Sequence, residues 1–171
     1  PKAMIVENVR GVLHDRSGAL SYTSEYLANL GYEVVHGAVD VSHFGVAQKR
    51  VRHVLVATRK PLPELTDLLT PYVTKPRSIR WAIGDIADIE SRRLVDQASR
   101  SSPDNVRRIA HLFDEGLYEL PDTQRPPCHR DKAHTYKSVY GRLRWEDQAQ
   151  TVTSGFYSMC MGRYVHPSQR R

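Results

Sequence analysis

The sequence has 171 residues, and 40% of them are hydrophobic, which is enough for one globular domain, or a large part of one, with an apolar core. The 25 Lys and Arg outnumber the 19 Asp and Glu, and the formal charge of +6 makes a polyanionic partner plausible without requiring one. Two cysteines are too few for a disulfide framework, and no apolar run approaches the roughly 18 residues of a membrane span. We therefore expect a cytoplasmic protein.

The first 59 residues alternate between strand and helix patterns. The predicted elements are a buried strand over 3–6, a helix over 18–30, and strands over 32–39 and 51–58. The first strand is expected to stop at the polar pair Glu7-Asn8, and Gly31 is expected to end the helix. This order is typical of an α/β layered domain, whose ligands bind where strands end in loops. We place a domain boundary after Arg59.

The rest of the chain, residues 60–171, has less regular patterns. Ser102-Pro103-Asp104 supplies an N-cap, a proline at the first helical position and an acid in the first turn, and it predicts a helix over 104–115 that Gly116 ends. The apolar residues of that helix repeat at i, i+3, i+4 and i+7, which favours packing on a core. The remaining predicted elements are short helices over 64–69 and 79–89 and short strands over 138–145 and 150–153.

Three stretches of the sequence form a recognisable series. The first is the tripeptide Glu7-Asn8-Val9 after an apolar strand, and the second is 45–52, which contains Q-x-R-x-R. The third combines 140–143, 151–153 and 162–167, which read YGRL, TVT and GRYVHP. Each stretch is weak evidence by itself, but in this order and at these separations they resemble the DNA (cytosine-5) methyltransferases. The resemblance covers essentially the whole chain.

The resemblance implies an α/β fold in two parts. Residues 1–59 would be the C-terminal part of a Rossmann-like, S-adenosylmethionine-dependent methyltransferase core. Residues 60–171 would be a smaller, mixed α+β target recognition region. The implied reaction moves a methyl group from S-adenosylmethionine to C5 of a cytosine flipped out of a specific sequence in double-stranded DNA. Such enzymes serve DNA methylation in restriction-modification systems, and in a bacterium we expect association with the nucleoid.

The resemblance also implies roles for individual residues. Glu7 would share or supply a proton near N3 and the exocyclic amine of the cytosine, and Asn8 would hold the neighbouring nucleophile loop. Arg52 would bond to the cytosine O2, and Arg50 would brace the loops around the base with support from Gln48. Thr151-Val152 would lie near the target base. The candidates for phosphate contacts are Lys49, Arg142, Arg144, Arg163, Arg170 and Arg171. The alternative, non-catalytic interpretation is that Arg50 and Arg52 belong to a solvated strand edge or to surface salt bridges.

In the family, a glycine-rich cofactor loop and a proline-cysteine motif carrying the nucleophile precede the ENV tripeptide, which here begins at Glu7. The chain also opens Pro1-Lys2-Ala3, with its first methionine at Met4. We therefore expect a fragment or a split subunit that is inactive by itself and needs a second chain or a missing segment with the loop and the cysteine. The alternative is a non-catalytic DNA-recognition module. A third possibility is a basic α/β protein unrelated to DNA.

Cys128 follows Pro126-Pro127, so this tripeptide is similar to the family's proline-cysteine nucleophile motif. It comes long after Glu7, whereas the family's cysteine comes before it, so we expect Cys128 not to be the nucleophile. Cys128, His129 and His134 also suggest a zinc site. Four ligands at recognisable spacings are normally needed, and only Cys160 and distant histidines are left to complete the set, so we expect no metal.

Overall fold

The computed structural model describes residues 1–90, 93–130 and 139–171. It divides into two compact units, unit 1 (Pro1–Pro76) and unit 2 (Arg77–Arg171). The division therefore lies after Pro76 and not after Arg59. Residues 60–76 stay with unit 1 because Leu65 is buried beside Gly37 and because the Thr74 N–H donates to the His43 carbonyl over 2.7 Å.

Unit 1 is built on a three-stranded sheet in the order β1-β3-β2. Its strands are β1 (Ala3–Val9), β2 (Glu33–Asp40) and β3 (Val51–Thr58). The central strand β3 is antiparallel to both neighbours, so β1 and β2 run parallel to each other. A helix crosses between them, as in an α/β unit. The predicted bounds of β3 are confirmed, and β2 differs from its prediction by one residue at each end.

The predicted end of β1 at residue 6 is wrong. Glu7, Asn8 and Val9 continue the ladder opposite Val54, His53 and Arg52. Polar side chains are tolerated here because β1 is at an edge of this sheet, where both Glu7 and Asn8 are exposed. Glu7 is therefore held in regular backbone rather than in a loop.

The helix α1 (Ala19–Asn29) covers one face of the sheet. Alternate residues of β3 point toward it, and Leu55 and Ala57 form a buried cluster with Leu27 and Tyr32. Gly31 follows the helix at φ +79°, a conformation that a glycine adopts without strain, as predicted for the helix end. The other helices of unit 1 are α2 (Leu65–Leu69) and the 3-10 turns Arg10–His14, Val41–Phe44 and Thr70–Tyr72.

Unit 2 packs around its longest helix. After α3 (Ile79–Ile83) comes α4 (Pro103–Asp114), where the Ser102 hydroxyl accepts from the Asn105 N–H over 3.3 Å, as the N-cap signal predicted. Gly116 lies just beyond α4 at φ +62°. The core of unit 2 consists of Ile109, Leu112, Leu120, Tyr140, Met159 and Val165. The 3-10 turns of this unit are Leu94–Asp96, Asp122–Gln124, Pro127–His129 and Met159–Met161.

Two predictions for unit 2 are wrong. The helix predicted over 79–89 ends at Ile83, and the strands predicted over 138–145 and 150–153 do not form in the described residues 139–171. What forms instead are isolated bridges, Glu119 with Gly141 and Arg142 with Val165. Tyr140 has φ +54°, which interrupts an extended backbone. The described residues of this region therefore contain helices and isolated bridges, but not the strands that a mixed α+β region was expected to have.

Candidate active site and DNA-contact residues

Glu7, Arg50 and Arg52 come together in unit 1. In the register of the sheet Arg52 is opposite Val9, so it lies on the same face as Glu7, two residues earlier on β1. The Arg52 Nε is 2.9 Å from the Glu7 Oε1, and the Arg50 Nη2 is 3.7 Å from the same oxygen. The resemblance gave each of these three residues a role at one cytosine, and the structure places both arginine side chains within 4 Å of the Glu7 carboxylate.

The carboxylate is the most exposed member of this group. The side-chain exposure is 54% for Glu7, 34% for Arg50 and 19% for Arg52. Arg52 is fixed further by its Nη1, which donates to the Val51 carbonyl over 2.8 Å. An ion pair this exposed adds at most about 1 kcal/mol to stability. These ion pairs therefore add little folding energy, and by themselves they also fit the interpretation of Arg50 and Arg52 as residues of surface salt bridges.

Gln48 and Lys49 precede the arginines in the loop between β2 and β3. Gln48 is half-buried and Lys49 is exposed. Burial opposes ionisation of Asp40, but the pKa of Asp40 is still lowered, because the Ser42 N–H and hydroxyl hydrogen-bond to it and His43 and Lys49 add positive charge nearby. Lys49 thus sits at the surface beside a carboxylate that stays ionised.

Asn8 points away from this group. Neighbouring residues of a strand face opposite sides, and Asn8 is opposite His53 in the register. The Asn8 Oδ1 accepts from the Val9 N–H over 2.8 Å. Asn8 and His53 line a cavity of about 60 Å³ between the sheet and α1. The structure therefore separates Asn8 from Glu7, although the two are adjacent in sequence.

Sequence reasoning missed His53, which is only 2% exposed. Its Nε2 is 3.2 Å from the His36 Nδ1. Burial, and then the proximity of His36, lowers the pKa of His53. The strict alternation of β3, in which His53 shares a face with Leu55 and Ala57, was the signal that would have placed it in the core.

The depressed pKa of His53 predicts a loss of stability in mild acid. Below the ordinary histidine pKa of 6.5 the unfolded chain binds a proton that the folded chain resists, so the free energy of unfolding falls as the pH drops from 6.5 toward the folded pKa. Denaturant unfolding of the protein at pH 5 to 8 should show this decline, and His53→Gln should make it shallower. An unaltered pH profile in His53→Gln would contradict the assignment of this decline to His53. His166→Gln is the comparison variant, because burial also lowers the pKa of His166.

The arginines predicted to contact phosphate differ in their surroundings in unit 2. Arg142 is 9% exposed, and its guanidinium lies 4.3 Å from the Phe113 ring centroid and 4.4 Å from that of Tyr118. Its buried Nε makes no hydrogen bond within the described part of the chain. The prediction of a phosphate contact at Arg142 therefore does not fit the structure, because the side chain is enclosed between two rings.

The other arginines of this group are more accessible or paired with acids. The Arg144 guanidinium lies 4.0 Å from the Tyr118 ring centroid, its Nε is 3.9 Å from the Asp147 Oδ2, and its side chain is 52% exposed. Arg163 pairs with Glu119, and Arg170 is 2.5 Å from the Asp114 carboxylate. Arg171 is exposed. Arg144, Arg170 and Arg171 are therefore the accessible members of this group.

No metal centre is apparent in the described ranges 1–90, 93–130 and 139–171, which contain no group of three or more His, Cys, Asp or Glu side chains able to hold an ion. Cys128 is exposed, and the His129 Nδ1 is instead 2.6 Å from the Tyr140 hydroxyl. His134, the third member of the suggested zinc set, lies outside the described residues. In the same ranges, no helix has the length and apolarity needed to cross a membrane.

Comparison with known proteins decides the family. The family model described as C-5 cytosine-specific DNA methylase matches residues 1–159. The chain belongs to this family. The membership confirms the resemblance that the ENV and Q-x-R-x-R stretches indicated, and the match covers unit 1 and most of unit 2.

Two curated relatives and one solved structure illustrate what this chain is similar to. The type II methyltransferase M1.BsuMI of Bacillus subtilis is 40% identical over 171 residues, which are 100% of this chain and 40% of that protein. The type II methylase M.HgiDII of Herpetosiphon aurantiacus is 31% identical over 181 residues, 100% of this chain and 50% of that protein. A putative DNA modification methyltransferase encoded within an E. coli prophage aligns with a TM-score of 0.57 at 15% identity, over 100% of this chain and 56% of that one. That structural likeness supports a shared fold only.

The chain spans 40% to 50% of the lengths of the first two of these relatives. The family is therefore established for these 171 residues, while the activity of the whole protein needs a separate argument from the site.

Proposed function

We propose that the protein carrying this chain is a DNA cytosine-5 methyltransferase, and that Glu7, Arg50 and Arg52 form the part of its active site that handles the cytosine ring. The observation that carries the proposal is the Glu7 carboxylate held by Arg52 at 2.9 Å and Arg50 at 3.7 Å, in a chain that belongs to the C-5 cytosine-specific DNA methylase family.

The reaction has to make a poor carbon nucleophile reactive. C5 of cytosine lies in an intact aromatic ring, and addition of a thiolate to C6 moves electron density toward C5, N3 and the carbonyl oxygen O2. A group that protonates or hydrogen-bonds N3 and another that neutralises charge at O2 would therefore lower the barrier. A carboxyl group and an arginine are suited to these two tasks.

The geometry supports this division of roles. Both ion pairs that Glu7 makes with described residues use Oε1. Oε2 is therefore the oxygen that would face N3 and the amine of the base. Arg52 bonds to Glu7 through Nε, which leaves its Nη2 to donate to O2. Arg50 would help to keep the carboxylate in place through the same Oε1, at 3.7 Å.

S-adenosylmethionine is the methyl donor that the family implies, and it supplies the electrophilic carbon when bound. The space in unit 1 beside Asn8 and His53 is about 60 Å³, whereas ligand pockets are typically about 300 Å³ or more. We assign none of the described residues to the donor, and the nucleophilic thiolate is likewise not assigned.

Duplex DNA is the proposed partner, with unit 2 supplying sequence recognition. The flipped base costs a few kcal/mol of unstacking, which phosphate contacts must offset. Lys49 in unit 1 and Arg144 in unit 2 are exposed cations suited to such contacts. Thr151 and Val152 are the proposed residues near the target base, and Val152 is 41% exposed.

The proposed function is tested by the product. Plasmid DNA from cells that express the complete protein should contain 5-methyldeoxycytidine, measured by mass spectrometry of nucleosides, and bisulfite sequencing should locate it in one short sequence. DNA from cells expressing the Glu7→Gln variant is the control. Methylation at N4 of cytosine or N6 of adenine, or no methylation in cells that contain the folded protein, would contradict the proposal.

A separate prediction concerns the phosphate contacts. Lys49→Ala should weaken binding to duplex DNA at all sequences alike and should reduce the slope of log K against log salt by about one, because one fewer counterion is released. Methyl transfer at saturating DNA should change little. Fluorescence anisotropy at several salt concentrations measures the slope. Lys2→Ala, at an exposed position before β1, is the matched control; an equal change in both variants would mean that Lys49 makes no specific contact.

A further inference from the structure

The segment Thr151–Thr153 has no regular secondary structure. It lies at the surface of unit 2, and the Val152 side chain is 41% exposed. An irregular surface segment is mobile unless side chains or neighbouring backbone hold it. A segment that is to distinguish one base from another needs a fixed position, because base edges are distinguished over distances well below 1 Å.

One side chain, Tyr164, holds this segment from both sides of Val152. The Tyr164 hydroxyl donates to the Thr151 carbonyl over 3.0 Å and accepts from the Thr153 N–H over 3.2 Å. The Thr153 Oγ1 is 3.3 Å from the same hydroxyl. A tyrosine hydroxyl has one donor and two acceptor positions, so these three contacts use its full capacity. The residues before and after Val152 are thus tied to a single atom.

The ring of Tyr164 is fixed in turn by Gly162. A Cβ at residue 162 would overlap the Cζ, Cε2 and hydroxyl of Tyr164, so the ring lies directly against the glycine backbone. Gly162 has an extended backbone, and the constraint is therefore steric and not conformational. The GRYVHP stretch accordingly contains both a tyrosine that reaches the segment and the glycine that gives its ring room.

We infer that Tyr164 is a positioning residue for base recognition. Its hydroxyl fixes Thr151 and Thr153 so that Val152 is presented to the edge of a base pair, where an apolar side chain can contact a thymine methyl or exclude a wrong base. The inference rests on the proposed function, since it names how the recognition region of that enzyme selects its sequence. Tyr164 itself touches the protein backbone and needs no contact with DNA.

The variant Tyr164→Phe removes the hydroxyl and keeps the ring. In the complete protein we expect the ratio of kcat/KM between the preferred site and sites with one altered base pair to fall by about tenfold, the usual scale for loss of one recognition contact. The loss should come mainly from a raised KM at the preferred site. The thermal unfolding midpoint should move by no more than about 3 °C. Tyr22→Phe, at a 71% exposed tyrosine of α1, is the matched control.

Amide hydrogen exchange gives a readout that does not depend on catalysis. Loss of the hydroxyl releases the Thr153 N–H, so exchange in peptides covering 150–155 should accelerate by about tenfold or more, while peptides of α4 stay unchanged. If the wild-type protein makes no 5-methylcytosine, the proposed function fails, and the exchange experiment still decides whether Tyr164 holds the segment. Unchanged exchange overturns the inference.

A double-mutant cycle separates positioning from general packing. Gly162→Ala should displace the ring and reproduce the loss of discrimination, whereas in a Tyr164→Ala background Gly162→Ala should add almost nothing, because the side chain that it displaces is gone. Additive effects of the two substitutions overturn the inference. So does retained discrimination in Tyr164→Phe, or a large fall in the unfolding midpoint with discrimination unchanged, which would assign Tyr164 a structural role only.

Discussion

Arg52→Ala in the complete protein should lower kcat for methyl transfer by about 100- to 1,000-fold, the effect of removing one donor from a preorganised site for developing negative charge. Glu7→Gln should lower it by about 100- to 10,000-fold, the range for loss of a general acid. Neither variant should change the affinity for duplex DNA by more than a few fold. The two side chains act on the ring after the base has been bound, so the loss falls on the chemical step.

The two effects should be less than additive. Arg52 holds the Glu7 Oε1 at 2.9 Å, so removing either partner also misplaces the other. Arg52→Lys should restore little of the lost methyl transfer. The planar guanidinium can donate to Val51, Glu7 and a base oxygen at once, and an ammonium group lacks this geometry. Arg50→Ala should cost less than Arg52→Ala, since its Nη2 is 3.7 Å from the carboxylate.

Single-turnover transfer of a labelled methyl group to duplex DNA measures the chemical step, and anisotropy measures binding. The matched controls are Glu25→Gln and Arg16→Ala, both at exposed positions of unit 1 outside the sheet. If Glu7→Gln, Arg52→Ala and Lys49→Ala all had equal and small effects on transfer, the assignment of roles would be wrong. A collapse of DNA binding in the first two variants would place them in recognition and not in chemistry.

The strands and the longer helices were predictable because their signals are local. The bounds of β3 and the start of α4 follow from alternation and from the Ser102-Pro103 cap, which depend on neighbouring residues only. The meeting of Glu7 with Arg52 is different, because they are far apart in sequence. Periodicity did not predict it. The family resemblance assigned both residues to one cytosine but predicted no contact between them, and the antiparallel pairing of β1 with β3 is the physical cause of that contact.

Unit 2 was less predictable because long-range packing overrides its local patterns. Residues 140–145 alternate as a strand would, but Tyr140 adopts φ +54° and is buried against the core with Leu112 and Met159. Gly141 is enclosed by Arg163 and the Tyr118 carbonyl, which no pattern within 138–145 reveals. The same limit explains why the sequence places Arg142 among the phosphate-contact candidates. Two arginines separated by one residue are typical of a basic surface, and the Phe113 and Tyr118 rings that contact Arg142 come from elsewhere in the sequence.

Arg142 and Arg144 offer a direct test of that distinction, since both stack on Tyr118 from within one short segment. Arg142→Ala should destabilise unit 2 by about 2 to 3 kcal/mol, because it empties the space between Phe113 and Tyr118 and removes two desolvated cation–π contacts. It should leave the salt dependence of DNA binding unchanged. Arg144→Ala should cost about 1 kcal/mol or less in stability and reduce the salt slope by about one.

Denaturant unfolding and anisotropy against salt measure the two quantities for both variants. Arg142→Met distinguishes packing from charge, because a long apolar side chain restores much of the buried area between the rings without a cation. Recovery of most of the lost stability in Arg142→Met would assign Arg142 to the core of unit 2. If instead Arg142→Ala flattened the salt slope as Arg144→Ala does, the guanidinium must reach phosphate in the DNA complex. The enclosure between Phe113 and Tyr118 would then open on binding.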